Sequence, residues 1–265
     1  MGPDEYIQKN RAAWNKKTLH HYNSGFYDVA GFLAGKNSLN DIELSMLGNI
    51  AGLSILHLQC HFGQDTISLG RMGAQVTGVD LSDNAIAKAK ELSTLATVPA
   101  KFICCNIYDL SEHLSYQFDI VFSSYGTIMW FPDLDKWAEL IARYLKPGGK
   151  FIFAEFHPVI WMFDNDFAGI AYKYDKGDPI IETETGTYAD KNAAITIETI
   201  TWNHGLAEVL QNLVNNGLEI TSFREYDYSP YNCFQHTIEF EPGKFRIKHL
   251  ADKIPMVYSL QAVKK

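Results

Sequence analysis

Long apolar runs are missing from this sequence. None approaches the ~20 residues that a bilayer-spanning helix requires, so no membrane association is expected. Positive charge is scarce too: 23 Lys and Arg stand against 31 Asp and Glu, a formal net charge of -8. A nucleic-acid surface needs a basic stripe, and no Lys/Arg cluster supplies one. Cysteine is limited to Cys60, Cys104, Cys105 and Cys233. Two of these are adjacent and cannot chelate as a C-x-x-C pair does, so neither a metal site nor a disulfide framework is expected. Small buried thiols in a reducing cytosol fit this usage. Met1-Gly2-Pro3-Asp4-Glu5 lacks the basic and apolar regions of a secretory leader, and a cytoplasmic protein is expected.

What is present is an alternation of apolar strands and helices. The 265 residues, 46% hydrophobic and 20% charged, are enough for one large α/β domain. Residues 4–50 read as helical, with Asn40-Asp41 capping a helix to about Leu47. Strands are expected at Ser54–Leu58, Gln75–Asp80, Lys101–Cys105, Phe118–Ser123 and Lys150–Phe156. Helices are expected between them at Gln64–Met72, Asn84–Thr94 and Leu134–Tyr144. Continuous apolar strands separated by helices predict a parallel sheet covered on both faces. The rhythm then changes. Residues 157–202 are rich in aromatics and acids, with β-prone runs Pro179–Thr187 and Ala194–Trp202 that predict a lid or hairpin insertion. A helix at Leu206–Asn216, a strand at Leu218–Tyr226 and a last strand at Pro255–Val263 follow. Two strands without a helix between them imply an antiparallel end to the sheet. The expected organisation is a helical cap over 1–50 and a catalytic domain over 51–265.

The loop after the first strand is poor in glycine. Ile55-Leu56-His57-Leu58-Gln59-Cys60-His61-Phe62-Gly63 is followed by Val76-Thr77-Gly78-Val79-Asp80, a βαβ unit whose second strand ends in a carboxylate. A carboxylate there suits ribose hydroxyls; it can also serve the helix that Ser82 opens. A pyrophosphate loop normally carries G-x-G-x-x-G, because backbone must approach the phosphates closely. Gln59 and His61 stand where glycines would. The unit alone leaves open a nicotinamide-dependent oxidoreductase, a catalytic nucleoside site, or a non-catalytic nucleotide-binding protein.

Beyond this unit the chain resembles the class I S-adenosylmethionine-dependent methyltransferases, from about residue 40 onward, and within them a subgroup acting on small molecules. Their first motif has an acid and glycines after strand one; here His57, Gln59 and His61 replace them, and Gly63 remains. The second motif matches in Val79-Asp80-Leu81-Ser82. Asn106, in Cys105-Asn106-Ile107, stands where an acid is usual. Phe118-Asp119-Ile120-Val121-Phe122-Ser123-Ser124 matches the strand-four motif, and Leu145-Lys146-Pro147-Gly148-Gly149-Lys150 the turn before strand five. Five motifs in the right order carry the likeness. It implies a Rossmann-like seven-stranded sheet, mostly parallel with an antiparallel C-terminal strand, and S-adenosyl-L-methionine as cofactor.

The resemblance also implies roles for residues. Asp80 would accept from the ribose, Leu81 and Ile107 would flank the adenine, and Asn106 would bond its edge or shape a turn. Gln59, Cys60, His61 and Gly63 would cradle the methionine portion, with Ser124 at the end of strand four. His57, in an apolar strand, reads as a hydrogen-bonded core histidine; His61 either donates to the methionine carboxylate or shapes the turn. Methyl transfer from a sulfonium needs alignment and exclusion of water, and a base only if the nucleophile arrives protonated. His157 is the expected base by position and pKa range, or else a hinge before Pro158. Tyr125 is the second catalytic candidate, and with Trp130 it would wall the methyl site or fill core. The aromatics at 22–27, 161–174 and 226–234 imply an enclosed acceptor pocket for a small molecule, neutral or cationic.

Overall fold

The computed structural model describes residues 3–265. Three helices come first: α1 (Pro3–Tyr22), α2 (Val29–Leu33) and α3 (Asp41–Leu47). The alternating part follows as β1 (Ser54–Leu58), α4 (Gln64–Arg71), β2 (Gln75–Asp80), α5 (Asp83–Leu95), β3 (Lys101–Cys104), β4 (Phe118–Ser124), α6 (Leu134–Tyr144) and β5 (Leu145–Phe156). The remainder is the hairpin β6 (Ile180–Thr185) and β7 (Thr196–Thr201), then α7 (Leu206–Asn215), β8 (Leu218–Tyr226), a second hairpin β9 (Thr237–Glu241) and β10 (Lys244–Ile247), and β11 (Val257–Lys264). Seven strands form one sheet in the order β3-β2-β1-β4-β5-β11-β8. The β1–β5 neighbours pair parallel, and β11 pairs antiparallel with both β5 and β8. The strand order reverses direction between β1 and β4, the position where open α/β sheets bind ligands beyond their carboxyl ends.

Burial explains the unbroken apolar strands. Ile55, Leu56 and Leu58 are fully buried because helices cover both faces. On one face Leu134, Trp137, Ala138 and Ile141 of α6 join Phe151 and Phe153 of β5. On the other, Ile42 of α3 packs with Ala154, Phe156 and Val257. Asp119, in the strand-four motif, lies at the opposite end of its strand from the ligand side. It accepts from the backbone N–H and hydroxyl of Ser54 (2.8 and 2.6 Å) and pairs with Lys146 (2.8 Å). The Lys146 ammonium holds its carboxyl down at about 2. That motif residue ties β1, β4 and the turn into β5 together.

Two expectations needed correction. The strand before the site begins at Leu145 rather than Lys150, because Leu145 already pairs with Phe118 before the register shifts. The β9–β10 hairpin was not foreseen: its strands are largely solvated, and their apolar residues show no helical or core-strand run. Among the described residues no helix is long and apolar enough to cross a membrane.

The first helix and the β6–β7 hairpin form a roof. Asn10, buried, donates to the carbonyl of Ile200 (2.8 Å) and accepts from its N–H (2.9 Å), pairing like an added strand residue on β7. Asn15 accepts from the Ser82 hydroxyl (2.6 Å), and its carbonyl accepts from the Asn84 amide (3.0 Å), at the start of α5. Arg11 adds a bidentate pair with Asp83; both partners are about half exposed, so its net contribution is small. Asn10→Ala leaves a buried N–H and carbonyl of β7 without partners. It is expected to cost about 1–3 kcal/mol of stability, read by denaturant unfolding. An unchanged midpoint would remove this pairing from the forces that hold the roof.

Candidate active site

The loop after β1 keeps a glycine-type backbone without the glycines. Gln59 has φ 55°, His61 φ 50° and Gly63 φ 79°. A left-handed residue costs roughly 1–2 kcal/mol when it carries a Cβ, so the fold imposes this shape on Gln59 and His61. At Gly63 no substitute fits: a Cβ would lie 2.8 Å from the Phe102 ring. The loop is pinned by Cys60 N–H donating to the Val79 carbonyl (2.9 Å) and Gly63 N–H to the Cys60 carbonyl (2.9 Å). The Gln59 side-chain amide donates to the carbonyl of Thr127 (2.8 Å), tying this loop to the one after β4. Gln59 Oε1 and His61 Nε2 are buried and have no partner. His57 bonds Thr66 through Nδ1 (2.8 Å), and burial lowers its pKa to about 3, so it is a neutral core histidine. Burial does the same to His61.

Asp80 sits at the end of β2 and lines the cavity. Its two oxygens accept from the N–H groups of His61 and Ser82, each at 2.8 Å. The cap of α5 is Ser82 itself, whose hydroxyl accepts from Ala85 N–H (3.1 Å). No cation pairs with Asp80 among the described residues, and desolvation lifts its carboxyl to about 6. The backbone N–H groups of Ser82, His61 and Leu81 oppose that rise, and a carboxylate has about four lone-pair sites, so acceptor capacity remains. Leu81, Asn106 and Ile107 line the same region. Asn106 also accepts from Tyr108 N–H (3.3 Å) through its side-chain oxygen, opening the 3-10 turn Ile107–Glu112.

The loop after β4 is built on Glu155, whose side chain is buried in β5. Its carboxylate accepts from the N–H groups of Gly126, Thr127 (2.7 Å), Ile128 (3.3 Å) and Phe156 (2.7 Å), and from the Thr127 hydroxyl (2.8 Å). Burial raises its pKa while these donors oppose the rise. This grip stabilises positive φ at Tyr125 (44°) and Gly126 (70°), and Tyr125 faces the cavity.

His157 is not placed there. Val159 N–H donates to its Nδ1 (3.2 Å), and Nε2 bonds Glu225 (2.8 Å) on the far edge of the sheet. Both ring nitrogens are occupied and the side chain does not reach the cavity lining, although its neighbours Phe156 and Ile160 do. The expectation of a base at His157 is therefore corrected to a structural pair.

One cavity of about 1150 Å³ joins these parts. Toward the β1 loop stand Trp14 and Lys17 of α1. The Lys17 ammonium lies over the rings of Trp14 (5.3 Å) and Trp130 (5.8 Å), 3.7 Å from Glu184; burial lowers its pKa. At another end stand Asp65 and Tyr125, with Glu43 behind them. The Ser124 hydroxyl donates to Asp65 (3.4 Å), and the Tyr125 hydroxyl to Glu43 (2.9 Å). Burial pushes Asp65 up to about 6 and Glu43 to about 7. The cavity thus gathers Gln59, Cys60, His61, Gly63, Asp80, Leu81, Asn106, Ile107, Ser124 and Tyr125, and leaves out His157. Lys17, Glu43, Asp65 and Glu155 were not singled out from sequence. A charged residue on an otherwise buried helix face or strand was their available signal.

Residues 56–153 match a family model described as a methyltransferase domain. An uncharacterized methyltransferase of Synechocystis is 27% identical over 191 residues, spanning 69% of this chain and 86% of that protein. The human mitochondrial ubiquinone biosynthesis O-methyltransferase is 23% identical over 231 residues, spanning 81% of this chain and 58% of its own length. Among solved structures, an S-adenosylmethionine-dependent methyltransferase from Clostridium acetobutylicum superposes with a TM-score of 0.60 at 16% identity, covering 94% of this chain and 98% of that one. Another from Mesorhizobium loti gives 0.57 at 22%, covering 88% and 100%. The sheet order, the ordered motifs and these likenesses agree: residues 56–153 carry a methyltransferase domain, on the fold shared with S-adenosylmethionine-dependent methyltransferases.

Proposed function

We propose that this enzyme methylates a small molecule held in the same cavity as its cofactor. The observation that carries the reading is continuity: Asp80, at the nucleoside end, and Tyr125 with Asp65, at the ring-walled end, line one continuous space. At about 1150 Å³ it exceeds the roughly 300–1,000 Å³ of a pocket for one drug-sized ligand. A net charge of -8 and the ring-lined cavity favour a metabolite over a nucleic acid. Four free thiols support a cytoplasmic setting.

The residues fit S-adenosyl-L-methionine. Asp80 would hold the ribose with its remaining acceptor capacity, and Leu81, Asn106 and Ile107 would surround the adenine. The orphaned Gln59 Oε1 and His61 Nε2 provide buried polar atoms near the methionine portion, with Gly63 letting the backbone approach. When bound, the cofactor supplies a methyl group on a cationic sulfur. The protein's own part is positional. Glu155 fixes the loop that aims Tyr125, Gln59 locks that loop to the cofactor side, and the roof of α1 and β6–β7 excludes water. Tyr125, with its proton on Glu43 and its pKa far above the ordinary tyrosine range, acts as a neutral hydrogen-bonding wall.

Titration calorimetry tests the reading directly. S-adenosylhomocysteine is expected to bind and NAD not to; the reverse pattern sinks it. Asp80→Ala is expected to weaken S-adenosylhomocysteine by about 1–3 kcal/mol through loss of charge-assisted bonds. In the wild type the affinity should fall as pH drops through about 6, because protonation removes acceptor sites from Asp80. A pH-flat affinity between 5 and 8 would contradict the ribose role.

Removing residues 1–25 takes away Trp14 and Lys17 and uncovers the cavity. The truncated chain should keep the circular dichroism of its sheet and lose tight S-adenosylhomocysteine binding. Full affinity in a folded truncation would show that α1 is not part of the closure.

A further inference from the structure

We infer that the acceptor end of the cavity recognises a protonated amine, held by the Asp65 carboxylate and the Tyr125 hydroxyl oxygen inside a ring-walled box. The inference rests on the proposed function for the meaning of the other end, where the cofactor is placed.

Asp65 is the second residue of α4, and its carboxylate faces the cavity. Around it stand Tyr27 and Ser38 from the segment after α1, Cys60 from the β1 loop, Ser124 and Tyr125 from the end of β4, Tyr231 from the chain after β8, and Glu43 from α3. Every one of these is neutral or acidic. Among the described residues no lysine, arginine or histidine acts on either Asp65 or Glu43. Buried carboxylates are normally paired with a cation; here burial raises the proton affinity of both, and Asp65 raises that of Glu43 further.

The ring arrangement is independent of those acids and points the same way. Phe26 stacks on Tyr231 (5.8 Å), Tyr231 meets Tyr125 edge-on (5.1 Å), and Tyr125 packs against Phe156 (5.5 Å). Phe26, Tyr125, Tyr231 and Phe156 all line the cavity. Ring faces attract a cation and offer nothing comparable to an anion. Tyr125 spends its proton on Glu43 (2.9 Å), so its oxygen presents lone pairs to an incoming N–H donor. Glu43 is wholly buried and lies outside the cavity lining, so it acts through Tyr125 as a positioning residue. The single buried lysine of the cavity, Lys17, is at the other end beside Trp14, Trp130 and Glu184. The chamber therefore separates its charges.

A raised carboxylate has a definite stability signature. An aspartate titrates near 3.9 when unfolded and Asp65 near 6 when folded. Between these values the folded state keeps a proton that the unfolded chain has released. The cost of burying the charge is thus absent below about pH 4 and complete above about pH 6. A bound ammonium removes that cost, and so does removal of the charge.

Thermal unfolding of the full chain reads both. Methylammonium, trimethylammonium and phenethylammonium chlorides are compared with sodium chloride at equal concentration, and 2-phenylethanol serves as the neutral analogue of the last. At pH 8 at least one ammonium salt should raise the midpoint by about 2–4 °C over sodium chloride. The shift should shrink at pH 5 and vanish in Asp65→Asn, and 2-phenylethanol should not produce it. In sodium chloride at pH 8, Asp65→Asn should itself melt above the wild type. Equal midpoints in all four salts at pH 8, or an undiminished shift in Asp65→Asn, would overturn the inference. Calorimetry with S-adenosylhomocysteine identifies the source of the ammonium. Asp65→Asn is expected to bind it within about twofold of wild type; a tenfold loss would assign Asp65 to the cofactor's own amino group and overturn the acceptor assignment. An ammonium shift in a wild-type protein that binds no S-adenosylhomocysteine would leave the amine site standing while the methyltransferase reading fell.

Discussion

The site depends on one buried carboxylate, Glu155. It lies within β5 and collects three backbone N–H groups and a hydroxyl from the chain that leaves β4, with a fourth N–H from its own neighbour Phe156. Burying a charge there is costly unless each oxygen is satisfied, and five donors satisfy it. In return the loop is held in a backbone that Tyr125 would otherwise avoid. Tyr125 is thereby aimed into the cavity, and the carbonyl of Thr127 is set where Gln59 can reach it. The loop after β4 and the loop after β1 are fixed relative to each other because both hang on that carboxylate.

The cofactor loop shows that a motif is a backbone shape before it is a set of residues. Gln59 and His61 occupy left-handed positions for which glycine is the usual choice. Their side chains give something in exchange. Gln59 supplies the cross-loop bond, and His61 fills space among Trp14, His21 and Tyr27 with ring centroids 5.2–5.4 Å away. Gly63 alone is irreplaceable, since Phe102 occupies the space of a Cβ.

This explains how far the sequence could be read. The sheet was legible because parallel strands buried on both faces are unbroken apolar runs, and β1, β2 and β8 fell on their expected residues. That Asp80, Leu81 and Asn106 stand together at the cavity was legible because Asp80 ends β2 and the others follow strand ends, on the side where chain order places them. Glu155, Glu43 and Asp65 were not legible. Each meets its partners across elements far apart in sequence, and Glu43 also looks like an ordinary first-turn acid of α3, where it bonds Asn40. His157 failed for a related reason. Its position after β5 suggested the ligand side, but Glu225 on the opposite strand edge claims its ring.

The roof differs in kind from the core, and this difference is what a closed chamber requires. The inner side of α1 buries Asn10, Lys17, Thr18 and His21 rather than a continuous apolar stripe. Its ties to the hairpin and to α5 include hydrogen bonds of Asn10 and Asn15, ion pairs of Lys9 with Glu198, Lys17 with Glu184 and Arg11 with Asp83, and one edge-on ring contact, Tyr6 with Trp202. Such bonds exchange readily for bonds to water, each with a net value of about 0.5–1.5 kcal/mol. The sheet beneath is held by aromatic and aliphatic burial that water cannot replace. Local opening is cheapest where the contacts are polar and partly solvated, so the roof, not the sheet, is where an opening would cost least.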